Sequence, residues 1–379
     1  MRGVCIVGVG IHRFGRFPDK TFIDLGAKAT LEALKDAKIG WEKIQAAYCG
    51  SVYSGSGAGS NMLAEVGLSG IPIMGVEAAC AAGGVALKMG YQAIAHGEYD
   101  IVLTVGFEKM PKGFIVSPRF QEWERQMGLG VNPIWMALAV QRHMAEYGTT
   151  VDQLAKVSVK SHRNGALNPN AMYQKALSYE EILNSPMVCD PLHLLMLCAP
   201  NEGGAAAILC SKDIASQFTN KPVTIAACEL RSAMHVSDRN LGVHYAGTVK
   251  KPTVIERVSQ AAYEVAGIGP QDLSLVELQD TDAGSEIIYS EELGLCKAGE
   301  GGRLIDEGAT EIRGRIPINV SGGLLSKGEP VGASALGQIH EIVHQLRDEA
   351  GPRQVSKAKT GLSHVYGGGG YSCVTILKR

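Results

Sequence analysis

Short β-branched runs alternate with amphipathic stretches along most of this chain. Val4–Gly10 (VCIVGVG) is a continuous apolar run, which predicts a strand buried on both faces. Thr21–Ala37 (TFIDLGAKATLEALKDA) carries its apolar residues three and four apart, the spacing of one helix face. IQAAYCGSV reads as the next strand, GGVALKMGYQAIAHG as a helix ending at Gly97, and Asp100–Glu108 (DIVLTVGFE) as another buried strand. This βαβαβ rhythm implies a largely parallel sheet covered by helices.

The rhythm has an echo. In Asp36–Gly50 (DAKIGWEKIQAAYCG) and Val265–Gln279 (VAGIGPQDLSLVELQ), Ala37, Ile39 and Gly40 match Ala266, Ile268 and Gly269, and Ile44 faces Leu273. Each segment is a helix end, an Ile-Gly turn and a buried strand, and a Gly-rich turn follows both, so the chain reads as two related α/β halves. Between them, 111–200 is richer in Met, Trp, Arg, Asn and Pro and breaks the rhythm. The expected division is residues 1–110 with 201–228 as the first half, 111–200 as an inserted loop domain, and 229–379 as the second half.

Composition narrows the function. A formal net charge of −2 offers no basic face for nucleic acid. The N-terminus begins directly in a strand pattern rather than a signal peptide, and no run reaches the ~20 apolar residues of a membrane span. Nine cysteines without CxxC spacing argue against both a zinc site and a disulfide framework, so no metal and a reducing cytoplasm are expected.

Two stretches carry candidate chemistry. In Gly75–Gly90 (GVEAACAAGGVALKMG) small residues surround Cys80 and a helix follows at once. The positive end of that helix favours a thiolate, and small neighbours let a carbonyl approach. A buried structural cysteine fits the same pattern. In Asn319–Ser334 (NVSGGLLSKGEPVGAS) one acid, Glu329, sits between Gly328 and Pro330. It is either a solvated charge on a turn or a carboxylate facing a site.

EAACAAGGVAL resembles the nucleophile segment of the thiolase superfamily. FEKM (Phe107–Met110), EGGRLIDEGAT, the run from Ile316 to Arg347, and SHVYGGGG (Ser363–Gly370) follow in the order found in its sterol-carrier-protein and archaeal branch. The resemblance runs from Ile6 to the C-terminus and is weakest in the inserted domain. It implies the thiolase fold, two βαβαβ halves in an αβαβα layering with the inserted domain over the coenzyme A site. It also implies Claisen chemistry on acyl-CoA: Cys80 takes the acyl group, and the amides of Cys80 and of the Gly367–Gly368 turn hold the oxyanion. Coenzyme A enters as substrate, with no covalently bound cofactor.

Two departures stand out. Where the branch has HDCF, this chain reads Gln279-Asp280-Thr281-Asp282, losing a histidine and the acid/base cysteine; where it has GHP, this chain has Gly328-Glu329-Pro330. An ionised glutamate cannot donate a hydrogen bond to a thioester oxygen; it accepts or abstracts. Glu329 is therefore expected to be the general acid/base near the substrate α-carbon or the CoA thiol, with Gln279 binding oxygens. Tyr366 and His364 are further catalytic candidates, and Cys373 reads as core. Lys112, Arg119, Arg125 and Arg163, with His162 nearby, are candidates for the CoA phosphates. Ser321 and Gly322 are candidates for the substrate wall.

The expected activity is an atypical thiolase acting on a β-ketoacyl-CoA, with a bulky or acidic substrate such as benzoylsuccinyl-CoA in view. The alternatives are a thiolase-fold retro-aldolase using Tyr366 and a non-catalytic acyl-CoA-binding subunit. The resemblance further implies a homodimer core and a small zinc-ribbon/OB-fold partner subunit, with neither nucleic acid nor membrane as partner.

Overall fold

A computed structural model of the chain describes residues 1–115, 121–234 and 252–379. Its centre is a nine-stranded sheet in the order β3-β2-β4-β7-β1-β8-β11-β10-β9. The first half supplies β1 (Val4–Gly15), β2 (Ala46–Gly50), β3 (Ile73–Val76), β4 (Ile101–Lys109) and β7 (Glu202–Ser211). The second supplies β8 (Val223–Arg231), β9 (Leu275–Glu277), β10 (Thr360–Gly367) and β11 (Tyr371–Lys378). A two-residue ladder, Cys5 to Thr224 and Ile6 to Val223, joins the halves.

The order is the same read inward from either end. β2 is parallel to β3 and β4, β9 is parallel to β10 and bridged to Ile318, and β4–β7 and β10–β11 are antiparallel. The sequence echo persists in three dimensions. Helix Phe22–Ala37 ends on left-handed Lys38, a 3-10 turn spans Trp41–Lys43, and β2 follows. Helix Val254–Ala266 ends on left-handed Gly267, a 3-10 turn spans Pro270–Asp272, and β9 follows.

The sheet is mixed, not largely parallel. β7 returns from the inserted region to run antiparallel between β1 and β4, and β10 turns directly into β11. The division read at 228/229 cuts through β8, whose ladder from Thr224 to Arg231 ties it to β11 in the second half.

Helices Ala82–Ala95 and Ser334–Leu346 pack against strands of both halves and share one core with them. Helix Phe22–Ala37 covers the outer face of the first half, and helix Val254–Ala266 that of the second. The layers thus run helix, sheet, helix, sheet, helix. In the inserted region, helices Asn132–Tyr147 and Val151–Ala166 pack with the small hairpin β5 (Met187–Cys189) and β6 (Leu192–His193) on Ala283, Ile287 and Leu325 of the second half.

Where the central helices meet the sheet, backbone touches backbone. A Cβ on Gly106 would lie 2.1 Å from the Gly332 carbonyl oxygen, and one on Gly83 2.7 Å from the same atom. A Cβ on Gly332 would lie 2.8 Å from the Phe107 oxygen and 2.9 Å from the Gly50 oxygen. The glycines of the Glu329 loop thus let it dock on β2, β4 and the start of helix Ala82–Ala95.

Gly106→Ala forces those surfaces apart. It is expected to lower the thermal midpoint by about 1–4 °C, the effect of overpacking by about 1–3 kcal/mol in a chain this size. A midpoint within a degree of the unsubstituted protein, read by calorimetry, would show that the loop is free to shift.

Candidate active site

Cys80 lies in the 3-10 turn Ala79–Ala81 that leads into helix Ala82–Ala95. Ala79 before it is left-handed, with φ of 49°, a conformation that costs a non-glycine residue about 1–3 kcal/mol. Its N–H donates to Glu77 Oε1 at 2.7 Å, which holds the turn. The N–H groups of Gly368 and of Cys80 itself reach the Cys80 sulfur. Of the two glycines expected there, Gly368 brings its amide, while the Gly367 backbone packs on Ala78 and Ala81.

Glu329 is fully buried. Its loop is tied on both sides to the segment entering β7: its N–H donates to Ala199 O at 3.2 Å, and Pro200 bridges it as a parallel neighbour. Gly328, at φ of 106°, makes the approach possible; a Cβ there would fall 1.7 Å from Asn201 Nδ2. Three groups donate to the carboxylate. Gln279 Nε2 reaches Oε1 at 2.6 Å, Cys198 Sγ reaches Oε2 at 2.9 Å, and the Cys80 thiol makes the third bond. Among the described residues none of its partners is a cation.

These contacts correct two expectations. Gln279 donates to Glu329 instead of facing a substrate oxygen, because a buried carboxylate takes whatever donors reach it; its own Oε1 has no partner. Cys80 rests as a thiol, not a thiolate. Burial, and then the Glu329 carboxylate, push it well above the ordinary thiol range, outweighing the two backbone N–H groups. Burial likewise raises Glu329, with the bonds from Cys198, Cys80 and Gln279 pulling the other way.

His364 and Tyr366 are not brought into this cluster. They alternate on β10 with Val365 and Gly367, and it is Val365 and Gly367 that face the Cys80 turn and its helix. Both rings sit on the opposite side against Tyr289, and burial holds His364 down at about 3. Cys373 is in the core beside Val365.

Ser321 and Gly322 also leave the substrate wall. Ser321 is buried, accepts from Lys327 Nζ at 2.8 Å and bonds the Glu277 carboxylate through both N–H and Oγ; Gly322 backs onto Gly165. Asp282 caps the next helix through Gly284 and Ser285, and Asp280 accepts from Leu324 N–H at 2.6 Å. Arg163 pairs with Glu311, and His162 is buried and held down at about 4. Lys112 and Arg125 are exposed; Arg119 lies outside the described residues.

Three residues emerge that the sequence reading missed. Cys198 is one. Glu108 is another: buried, it accepts from Val52 and Tyr53 N–H at 2.8 and 2.9 Å and so shapes the 51–54 loop. Tyr53 on that loop is the third; burial raises its phenol, and so do the nearby acidic groups Cys80, Glu108 and Glu329. FEKM marked the Glu108 strand end, but nothing local marks Cys198, which lies 131 residues from its partner.

A two-half fold with a cysteine at the end of a central helix, under a glycine loop, defines an acyl-transfer class. The thiolase N-terminal domain matches residues 4–213 and the thiolase C-terminal domain-like family residues 241–379, so the chain belongs to the thiolase family of acyl-CoA acyltransferases. It is 39% identical to an acetyl-CoA acetyltransferase of Methanothermobacter thermautotrophicus over the whole of both chains. It is 34% identical to benzoylsuccinyl-CoA thiolase subunit BbsB of Thauera aromatica, over 97% of this chain and 95% of that one. The structure of an Ltp2-ChsH2(DUF35) aldolase superposes with a TM-score of 0.88 at 23% identity, covering 99% of this chain and 98% of that one, which shows a shared fold. Coenzyme A is accordingly substrate, and the family carries no prosthetic group.

Proposed function

We propose that this chain makes or cleaves a β-ketoacyl-CoA by acyl transfer through Cys80, with Glu329 as the base that takes the Cys80 proton. One observation carries the reading: the only acid bonded to the nucleophile candidate is a buried carboxylate with no cationic partner among the described residues. A salt-bridged carboxylate would be a poor base; one raised by burial is a better proton acceptor.

In the cleavage direction, Cys80 gives its proton to Glu329 as the sulfur attacks the β-carbonyl carbon. The N–H groups of Gly368 and Cys80 stand where the new oxyanion forms. The carbon–carbon bond then breaks, and the acyl group stays on Cys80 as a thioester. Coenzyme A takes it in the second half of the cycle, and Cys80 recovers its proton from Glu329.

Beyond Glu329 and Cys198, the cavity is walled mostly by Phe114, Ile115, Pro133, Met136, Leu197 and Pro200, with Asn132 and Thr281 as its neutral polar members. This wall favours an apolar or aromatic acyl group. A benzoyl group fits that chemistry; the free carboxylate of benzoylsuccinyl-CoA would need a cation that these lining residues do not supply. Lys112 and Arg125, exposed after β4, are our candidates for the CoA phosphates. A reducing compartment suits a chain whose nine cysteines are all free.

Two further features concern assembly. β3 pairs with β2 alone and leaves one sheet edge open among the described residues, which supports pairing of two copies there. BbsB is named as one subunit of its thiolase, and the aldolase above has two named components, which supports a small partner subunit here.

Glu329→Gln keeps the shape and removes the proton acceptor. It is expected to slow acylation of Cys80 by acetyl-CoA or acetoacetyl-CoA about 10²-fold, read by intact mass over time. In the unsubstituted protein the rate should fall as pH drops through the Glu329 pKa, since the base works only when ionised. That acidic limb lies above the ordinary carboxylate value because burial raises the group, and it should vanish in Glu329→Gln. Turnover with Cys80 never acylated would sink acyl transfer and favour the aldolase reading.

Native mass spectrometry of the chain alone should give a dimer. Purification of the chain from its native host should bring with it one further, smaller subunit per chain. A monomer that turns over fully without a partner would refute both assembly proposals.

A further inference from the structure

Glu329 manages one proton, yet the reaction moves two. The first belongs to Cys80. The second is gained by the substrate α-carbon on cleavage, or lost from it on condensation. With Gln279 on Oε1, Cys198 on Oε2 and Cys80 bonded as well, the carboxylate already has its donors when the substrate arrives.

The titratable groups around it narrow the choice for the second proton. Asp280 is turned away, accepting from Leu324 N–H at 2.6 Å, and its other oxygen packs against Gly323. Asp282 is consumed in capping its helix. Thr281 lines the cavity, but an aliphatic hydroxyl is too weak an acid. Tyr53 lies on the 51–54 loop and is not part of the apolar wall. Cys198 remains. It is partly exposed and lines the acyl cavity with Leu197, Met136 and Phe114. Its thiol is fixed by Glu329, and its N–H donates to Thr281 O at 2.9 Å, so it is held from two sides.

We propose that Cys198 is the acid/base for the substrate α-carbon, so that Glu329 serves two thiols with separate tasks. The inference rests on the acyl-transfer reading above. On cleavage, the Cα–Cβ bond breaks and its electron pair passes to the α-carbon as the thioester enolate. The Cys198 S–H gives its proton to that carbon, the shortened acyl-CoA leaves, and Cys198 is left as thiolate. The incoming CoA thiol returns a proton to Cys198 while its sulfur attacks the acyl-Cys80 carbonyl. Cys80 departs and recovers its own proton from Glu329. Burial, and then the neighbouring Glu329 charge, keep the resting Cys198 protonated, the form that donation needs.

The test separates the two protons. The full chain is incubated with acetyl-CoA or butanoyl-CoA in D2O, and deuterium entering the α-carbon is read by mass; Cys80 acylation is read separately by mass with 4-nitrophenyl acetate, whose leaving group departs without the proton that Cys198 would give to CoA. Cys198→Ala should lower α-carbon exchange about 10²-fold or more while Cys80 acylation stays within about 3-fold. Cys198→Ser, close in size and able to keep the bond to Glu329, should lose exchange as well, because its hydroxyl does not carry the proton. This second variant guards against a fold disturbed by the smaller side chain. Exchange within a few-fold of normal in either variant overturns the proposal. Loss of acylation and exchange in equal measure also overturns it, making Cys198 a support for Glu329. Failure of the unsubstituted chain to acylate Cys80 refutes the acyl-transfer reading itself, and this proposal with it.

Discussion

The site depends on one carboxylate kept out of water with no charge to neutralise it. Glu329 is completely buried and satisfied by an amide and two thiols. Buried carboxylates usually find a cation, and this protein supplies cations to others. Lys327 lies by Glu277, Lys160 pairs with Glu286, and Arg353 pairs with Glu341. Those pairs are scaffolding. The Glu277–Lys327–Ser321 group fixes the floor of the glycine loop, and Glu286 holds Asn319, which in turn holds Leu278 N–H just before Gln279. The scaffold is neutralised and the acid at its centre is not, which is the arrangement a base requires.

Such a carboxylate must be delivered without side chains in the way. The glycines do this. Gly332 lies against Gly106 and Gly50, Gly83 meets the same turn from the helix, and Gly328 clears Asn201. The loop is glycine-rich because its backbone approaches the protein's own sheet and helix closely, not because it turns in solvent. That close approach brings one end of the second half onto the nucleophile turn of the first. Each half contributes to the site: Cys80 from one, Gln279 and Glu329 from the other, and Cys198 from the segment where the insertion rejoins the sheet.

How much of this the sequence revealed follows from range. The Ile-Gly echo was legible because each copy is a local device of helix end, turn and strand. Cys80 was legible because small residues and the helix after it are adjacent in sequence. Glu329 stood out for its glycine neighbours, although its partners did not. The sheet was expected to be largely parallel because an insertion hides which way the chain returns at β7. His364 and Tyr366 could be assigned to one face of a strand by alternation, but only the packed structure tells which face meets Cys80. Cys198 carried no local mark, since what makes it distinctive is a bond to a residue 131 positions away.

The cluster also explains why the nucleophile rests as a thiol. A thiolate at Cys80 beside an ionised Glu329 would put two anions in one buried pocket, a costly arrangement at low local dielectric. Passing the proton from Cys80 to Glu329 leaves the total charge unchanged. In the mechanism proposed above, the negative charge then moves onto sulfur and, on attack, onto the oxyanion facing the amides of Gly368 and Cys80. At each stage there is one anion, relocated and never doubled. A histidine in place of Glu329 would make the same transfer generate a buried ion pair from neutral groups. The glutamate makes it a migration of a charge already present.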